Sequence, residues 1–352
     1  MAGHGSAIAK NMPLRHCTEK SNSGITASTP FAIPSLQTMD CKPSLALVLA
    51  LLMAAPGVAQ QVDTQIEQSR RFDQQATPLR DTSAAAGTET FDEVAPSSPG
   101  DSDLGTQAIL KSQYAAKRWF IFGDLAGFHT NNVALTSRNK FDDQFLVATF
   151  GFSYQQKITD QLEADFTIRG ATFRYCEFDQ LNFTSIDAGA GLTYRIPQLA
   201  NTTAFLRYNF NDLISEESGD EFFQNHTITA GVQKVFPLAR AHAVIVGASA
   251  QWGFADPKEA ERDEYGVYLG YHVDFTRALQ AQVFYRSAYY RYSAKPQRED
   301  FNQNVSANLR YKLTSWASLN ASASLGFNRS NQDVYDYDVA NTGGGLTLEV
   351  RF

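Results

Sequence analysis

Apolar and polar residues alternate one by one along most of the chain from residue 118 to residue 352. In the stretch LVATFGFSYQQ, Leu146, Ala148, Phe150, Phe152 and Tyr154 share one parity, and mostly small or polar residues occupy the other. A period of two residues places the two sets on opposite faces of a β-strand. The pattern therefore predicts strands with one apolar face and one polar face.

About twelve such segments follow one another, beginning near residues 118, 143, 161, 182, 202, 223, 241, 263, 278, 301, 317 and 338. The connections alternate in length: short ones such as KITD and FTRA take turns with longer, more polar ones such as HTNNVALTSRNKFD and LISEESGDEF. Strands joined in sequence by alternating short and long links predict an antiparallel up-and-down sheet with its loops sorted to two ends.

A soluble β-sandwich also alternates inside and outside residues. Against it stand the absence of a link long enough for a Greek-key crossover and the charge carried by the polar face of the strands. In lipid every backbone N–H and C=O group must be paired within the protein, so a spanning sheet must close on itself and be apolar outside. We therefore predict an all-β fold, a closed antiparallel up-and-down transmembrane β-barrel of about twelve strands over residues 118–352.

Aromatic residues concentrate toward the ends of these segments, where a membrane barrel carries girdles at the two interfaces. The predicted girdle residues are Trp119, Phe120, Tyr154, Tyr175, Tyr194, Phe236, Trp252, Phe254, Phe275, Tyr289, Tyr290, Tyr311, Trp316 and Phe327.

The chain before residue 118 divides into three predicted parts. The apolar run Leu45–Ala55 follows Lys42 and ends in small residues, which is typical of a secretory signal; we place the signal peptide at residues 39–59 with cleavage after Ala59. Residues 1–38 are then an upstream extension, with translation starting at Met39. Residues 60–117 are a polar disordered leader, which either hangs in the periplasm or enters the barrel as a plug.

Charge and cysteine content argue against two features, a nucleic-acid partner and an internal disulfide. The formal net charge is −7 with no basic run to offset it, so no nucleic-acid partner is expected. Removal of the signal would leave Cys176 as a single thiol, which forms no internal disulfide.

The chain ends in NTGGGLTLEVRF, in which Leu346, Leu348, Val350 and Phe352 alternate with polar residues. An export signal, alternating strands and this terminal aromatic strand resemble the bacterial outer-membrane β-barrel proteins, and the last hairpin resembles that of porin-type barrels of Gram-negative bacteria. The resemblance implies that the final strand is read by the barrel-assembly machinery. It also implies an outer-membrane location, contact with outer-membrane lipid, and a leader and C-terminus in the periplasm.

The polar parity gives the candidate lumen-lining residues. They carry both signs of charge, so they either pair across the lumen and close it or line a narrow aqueous passage. The candidates are Glu163, Asp165, Arg169, Asp187, Arg195, Arg207, His272, Asp274, Arg286, Arg310, Lys312, Glu349 and Arg351, with Gln233, Gln251, Gln280 and Gln282 beside them.

Catalytic signatures are missing from the sequence. Ser153 and Ser249 lack the second glycine of a nucleophile elbow. His226 lies in QNHTITAG, but the membrane lipases it resembles place a Ser two positions after the His, and here that position is Ile228. His272 and Asp274 share parity and are expected to form a hydrogen-bonded lumen pair rather than an acid–base dyad. We expect no enzyme activity, no cofactor and no metal site.

The sequence thus predicts a porin-like passage for small polar solutes. The alternatives are a non-conducting structural, adhesin or receptor barrel, a component of a polysaccharide or lipoprotein export system, and, less favoured, a membrane-embedded lipid-modifying enzyme that depends on His226.

Overall fold

A computed structural model describes residues 118–200 and 202–352, and within them a single sheet of twelve strands. The predicted extension, signal peptide and leader at residues 1–38, 39–59 and 60–117 lie outside the described residues. The strands are β1 Trp119–Thr130, β2 Asp143–Lys157, β3 Leu162–Tyr175, β4 Phe183–Ile196, β5 Thr202–Ser215, β6 Glu221–Ala239, β7 His242–Asp256, β8 Arg262–Asp274, β9 Leu279–Tyr292, β10 Glu299–Lys312, β11 Ala317–Ser330 and β12 Tyr337–Arg351.

Each strand pairs antiparallel with its neighbours in the sequence, and the last strand returns to pair with the first. In that closing pair Phe120 lies opposite Arg351 and Thr130 lies opposite Asn341. The closed antiparallel barrel is therefore confirmed, and every strand begins within two residues of its predicted start. Closure leaves no strand edge with unpaired backbone groups.

The connections separate the barrel into two ends. The short-turn end holds five connections of two to five residues and both ends of the described barrel, Arg118 and Phe352. The long-loop end holds six connections of five to twelve residues, the longest being residues 131–142. The connections at residues 216–220 and 257–261 are shorter than the sequence suggested, because β5, β6 and β8 continue into the charged stretches that flank them.

The alternation along the strands divides the sheet into an outward and an inward face. The exposed large apolar side chains of the strands lie on the outward face, among them Phe150 at 66%, Val267 at 57% and Leu125 at 52% exposure. Buried polar side chains such as Arg169, Gln233 and His272 lie on the inward face. Among residues 118–200 and 202–352, no helix has the length and apolar character needed to cross a membrane.

Candidate functional site: the barrel interior

The register of the twelve strands brings all thirteen candidate lumen residues to the inward face. Most of the charged ones are held in pairs along the wall. Arg169 on β3 lies directly opposite Asp187 on β4, with Nη2 3.1 Å from Oδ2. Glu264 on β8 forms an ion pair with Arg286 on β9, and Glu349 pairs with Arg351 two residues along β12. These charges are largely neutralised by their neighbours.

One pair skips a strand. Arg207 on β5 reaches across β4 to Asp165 on β3, with Nη1 2.8 Å from Oδ2 and 3.0 Å from Oδ1. The strand it crosses carries Gly191, whose absent side chain makes room for the pair. A Cβ at Gly191 would stand 2.7 Å from Asp165 Oδ1 and 2.8 Å from Arg207 Nη1. The glycine is thus required by the ion pair that lies over it.

Two hydrogen-bonded groups extend the polar lining toward the short-turn end. His272 is 1% exposed, with Nε2 3.1 Å from Asp274 Oδ1, and Gln280 donates to the same oxygen at 2.8 Å. Asn320 accepts from Arg310 Nε at 3.1 Å and donates to Thr347, whose hydroxyl donates to Asp124 at 2.5 Å. That chain links four strands, β10, β11, β12 and β1. Both groups join neighbouring strands of the barrel wall through their side chains.

The remaining candidates lie near the short-turn end. Glu163 on β3 and Lys312 on β10 are exposed, and Arg195 on β4 is half-buried. Glu163 is the second residue of β3 and Lys312 is the last of β10, so these two charges lie at the rim of the short-turn end.

The opposite end contains a feature that the sequence analysis missed, an apolar cluster on the inward face. The connection of residues 131–142 folds into the mouth there, and Val133 on it is 0% exposed. Phe128 and Phe145 stack with centroids 5.4 Å apart, and Phe173 stacks on Phe183 at 4.5 Å. We name this set the mouth cluster: Phe128, Val133, Ala134, Phe145, Val147, Ala171, Phe173, Tyr175, Leu181, Phe183, Leu213, Phe223 and Ala255.

Hydrogen bonds hold residues 131–142 in the mouth. The buried side chain of Asn132 donates to the backbone oxygens of Thr136 at 2.8 Å and Asp338 at 2.9 Å, and its Oδ1 accepts from Thr136 N at 3.1 Å. The backbone of Asn131 donates to Ala340 O at 3.1 Å, and its side chain accepts from Ala340 N at 2.8 Å. The connection is therefore tied both to itself and to β12.

The rest of this end, along β8 to β12, is polar and aromatic. Arg298 forms a two-pronged ion pair with Asp300, which is 1% exposed, and its guanidinium lies 4.2 Å from the Tyr292 ring centroid and 3.5 Å from that of Tyr335. Asn328 donates to Asp300 Oδ2 at 3.0 Å. We name this set the Arg–Tyr network: Arg262, Tyr290, Tyr292, Arg298, Asp300, Asn302, Asn328, Tyr335 and Tyr337.

Three predicted girdle aromatics were wrongly placed. Phe120, Tyr175 and Tyr290 point inward and are 4%, 4% and 8% exposed. Their position near strand ends suggested the membrane interface, but their parity matches the inward polar residues of the same strands. Parity was thus the better signal, and it would also have located Phe145 and Phe173.

His226 lies on the outward face of β6, with Nδ1 2.8 Å from the Tyr208 hydroxyl and its ring 5.0 Å from that of Phe210. Thr227, the neighbouring hydroxyl, is on the inward face, so the two do not meet as a nucleophile and base. Within residues 118–200 and 202–352, no group of three His, Cys, Asp or Glu side chains is arranged to hold a metal ion.

The predicted assembly signal also lies outward. Leu346, Leu348 and Val350 share the outer face of β12, and Phe352, which directly follows the strand, is 55% exposed. The backbone oxygen of Phe352 accepts from Arg118 N and Trp119 N at 3.2 and 3.0 Å. The terminal residue therefore completes the pairing of β12 with β1, and its reading by the assembly machinery stays a prediction.

No protein-family model matches this sequence, and no characterised protein matches it at the sequence level. Among solved structures, an outer membrane channel from Pseudomonas putida F1 is 15% identical with a TM-score of 0.47, covering 68% of this chain and 96% of its own. LpxR from Salmonella typhimurium is 11% identical with a TM-score of 0.39, covering 64% and 99%. An anion-selective porin from Comamonas acidovorans is 9% identical with a TM-score of 0.37, covering 66% and 98%. The barrel assignment rests on the strand pairing and not on these similarities.

Proposed function

We propose that this chain is an outer-membrane β-barrel whose interior is a narrow passage for small polar solutes, closed at the long-loop end by the mouth cluster. The observation that carries the proposal is the contrast between the two faces of one closed sheet. Large apolar side chains such as Phe150 and Val267 are exposed outside, while paired charges such as Arg207 and Asp165 lie inside.

The outward face supports a lipid environment. A continuous apolar surface around a protein of this size promotes aggregation in water. In a bilayer the lipid chains cover that surface and keep it away from water. A closed sheet also satisfies the backbone, which lipid cannot hydrogen-bond. By the topology usual for this class of barrel, the short-turn end with Arg118 and Phe352 faces the periplasm and the long-loop end faces the outside.

The inward face supports a polar passage with a closed outer mouth. Exposed Glu163 and Lys312 give the short-turn end a hydrated entrance. At the other end the mouth cluster presents buried Phe and Val side chains, and an apolar constriction of this kind gates by excluding water. Passage therefore requires residues 131–142 to move aside.

The second candidate is a barrel that does not conduct. The same wall pairs and mouth cluster favour it if they stay in place permanently. The long loops would then act as a binding surface or scaffold, either alone or as part of an export system. Neither proposal includes a catalytic step; His226 faces outward, with its Nδ1 against the Tyr208 hydroxyl.

The test is single-channel conductance of the refolded chain from Gln60 to Phe352 in planar lipid bilayers, beside a version that begins at Ala116. We expect brief, low-conductance openings in the longer chain. An increase on truncation would identify residues 60–117 as a plug. The variant Val133→Asp places a charge at a fully buried site in residues 131–142 and is expected to hold the mouth open for longer, since a carboxylate cannot remain in an apolar cluster.

Ser137→Asp is the matched control, because Ser137 is exposed on the same connection. It should conduct as the unchanged chain does. Silence in every variant, with a folded barrel established by heat-modifiable gel mobility, would reject the passage and leave the non-conducting barrel. Equal conductance in Val133→Asp and Ser137→Asp would reject residues 131–142 as the closing element.

A further inference from the structure

Five arginines on the inward face and in the long-loop mouth are matched to a carboxylate, and Arg262 in the same mouth is not. Arg169, Arg207, Arg286, Arg298 and Arg351 each form an ion pair with a neighbouring Asp or Glu. Arg262, the first residue of β8, has no carboxylate partner among residues 118–200 and 202–352. An arginine that stays charged without an anion beside it has strong unmet capacity to bind one.

Three carboxylates on β8 and β10 are already paired with other arginines. Glu264, two residues along β8, pairs with Arg286. Asp300 on β10 accepts two hydrogen bonds from Arg298 Nε, at 2.9 and 3.0 Å. Asp263 lies on the outward face and pairs with Arg291 at 3.1 Å. None of the three therefore balances the Arg262 charge at close range.

Aromatic groups hold Arg262 in place. Its guanidinium carbon lies 4.4 Å from the centroid of the Tyr290 ring and 5.8 Å from that of Tyr292. Its Nη1 donates to the Tyr292 hydroxyl at 3.2 Å. Stacking over a tyrosine ring fixes the plane of the guanidinium, while the hydrogen bond to Tyr292 uses one of its five N–H groups. The guanidinium N–H groups that do not contact Tyr292 therefore have a fixed direction before a ligand binds.

The supporting tyrosines are themselves fixed. Tyr290 and Tyr292 are each 8% exposed, and the Tyr290 hydroxyl accepts from Arg286 Nη1 at 3.1 Å. The Tyr292 ring is also in contact with the guanidinium of Arg298, at 4.2 Å. Arg262 keeps part of its surface exposed on the inward face of the barrel. A solute that meets Arg262 from the barrel interior would therefore find a guanidinium that is held rigidly and has no carboxylate partner.

We propose that Arg262 is an anion-binding residue in the long-loop mouth, and that its ligands are small organic solutes that carry a carboxylate. The planar fork of arginine matches a carboxylate with two parallel hydrogen bonds. The tyrosine hydroxyls beside it supply further polar contacts for the hydroxyl groups of such a solute. This deepens the proposed passage by naming a solute class, but the binding itself does not require transport.

The experiment is titration calorimetry of the refolded Gln60–Phe352 chain in detergent with sodium glucuronate, and with glucose as the uncharged match. We expect heat of binding for glucuronate and none for glucose. Arg262→Gln should weaken glucuronate binding roughly 10- to 100-fold, the range of a charge-assisted hydrogen-bonded pair. Arg262→Lys retains the positive charge without the planar fork. Its affinity for glucuronate should lie between that of the unchanged chain and that of Arg262→Gln.

Arg291→Gln is the control, because Arg291 is an exposed arginine on the outward face. It should leave glucuronate binding unchanged, and gel mobility should show each variant folded. Equal binding of glucose and glucuronate, no glucuronate binding by the unchanged chain, or an equal loss in Arg291→Gln would overturn the assignment. Tighter binding of inorganic phosphate than of glucuronate would overturn the carboxylate class.

The same proteins separate this inference from the proposed function. Glucuronate binding that depends on Arg262 in a barrel that never conducts would retain the binding site and reject the passage. Conductance without any glucuronate binding would retain the passage and reject Arg262 as its anion site.

Discussion

The two halves of the long-loop mouth narrow the same barrel by different physical means. Along β1 to β7 the mouth cluster packs Phe, Val and Leu side chains from the wall against Val133 on residues 131–142. Along β8 to β12 the Arg–Tyr network joins charged, amide and phenol groups through hydrogen bonds and ring contacts. Both halves are largely buried, but the first is lined mainly by apolar side chains and the second mainly by polar and aromatic ones.

The difference shows how one sheet can close the barrel with one set of residues and bind a solute with another. Apolar packing excludes water and depends on close fit between side chains. Shortening one of them leaves a cavity and lowers the stability of the fold. A buried polar network depends on the matching of donors and acceptors, so its weak point is a group left without a partner. The mouth cluster is thus suited to close the barrel, and the network is suited to recognise what reaches it.

The largest effect is expected in the apolar half. Phe173 is 2% exposed and stacked on Phe183, so Phe173→Ala leaves a cavity and should lower the free energy of unfolding by about 3–5 kcal/mol. Guanidinium-induced unfolding in lipid vesicles measures this. Phe150→Ala, at a site 66% exposed on the outer face, should cost clearly less because lipid fills the space. Equal losses in the two variants would contradict a packed mouth.

A smaller effect is expected in the polar half. Asn328 is 1% exposed, donates to Asp300 at 3.0 Å and to Tyr335 O at 2.9 Å, and accepts from Asn302 at 3.2 Å. Asn328→Ala leaves these buried partners without their hydrogen bonds. It should lower the free energy of unfolding by about 1–3 kcal/mol in the same assay.

Asn331 provides the matched control for Asn328. It is exposed, accepts from Glu299 N at 3.0 Å and donates to Gln297 O at 3.1 Å. Water can replace these bonds, so Asn331→Ala should cost less than Asn328→Ala. If Asn328→Ala were as costly as Phe173→Ala, the distinction between a packing half and a hydrogen-bonding half would fail.

The strands of this barrel were predictable because a period of two residues is a local signal. Each segment reports its own faces, and closure follows once every strand has an apolar outside that lipid must cover. The same parity rule identified Asp165 and Arg207 as inward residues. It did not identify them as partners, because they are 42 residues apart and meet only through the register of three strands and the space above Gly191.

Arg262 was missed for a different reason. It lies in the mixed-charge stretch DPKEAERDE, which resembles an exposed loop, whereas the structure begins β8 at this residue. Whether an arginine is matched to a carboxylate depends on which neighbours have already paired with one another. That is a property of the assembled network, and no pattern in a single stretch of sequence contains it.

The smallest effect on stability is expected at the short-turn end, which lies outside both halves of the mouth. It serves as the reference with which the stability changes in the two halves are compared. Lys157 Nζ lies 2.9 Å from Asp160 Oδ1, and this hydrogen bond and the charge of Lys157 lower the pKa of the Asp160 carboxyl below its ordinary value. A carboxyl group with a lowered pKa stabilises the folded state above its ordinary pKa, and that contribution disappears as the pH falls through the folded value.

Because both side chains are well exposed, solvent screens the pair, and Lys157→Ala should leave the unfolding midpoint at pH 7 unchanged within error. Carbon-detected NMR of the Asp160 carboxyl should nevertheless show its pKa return toward the ordinary value in that variant. A midpoint shift as large as that of Asn328→Ala would mean that exposed turn contacts matter as much as buried ones. The stability of this barrel would then not be concentrated at its long-loop mouth.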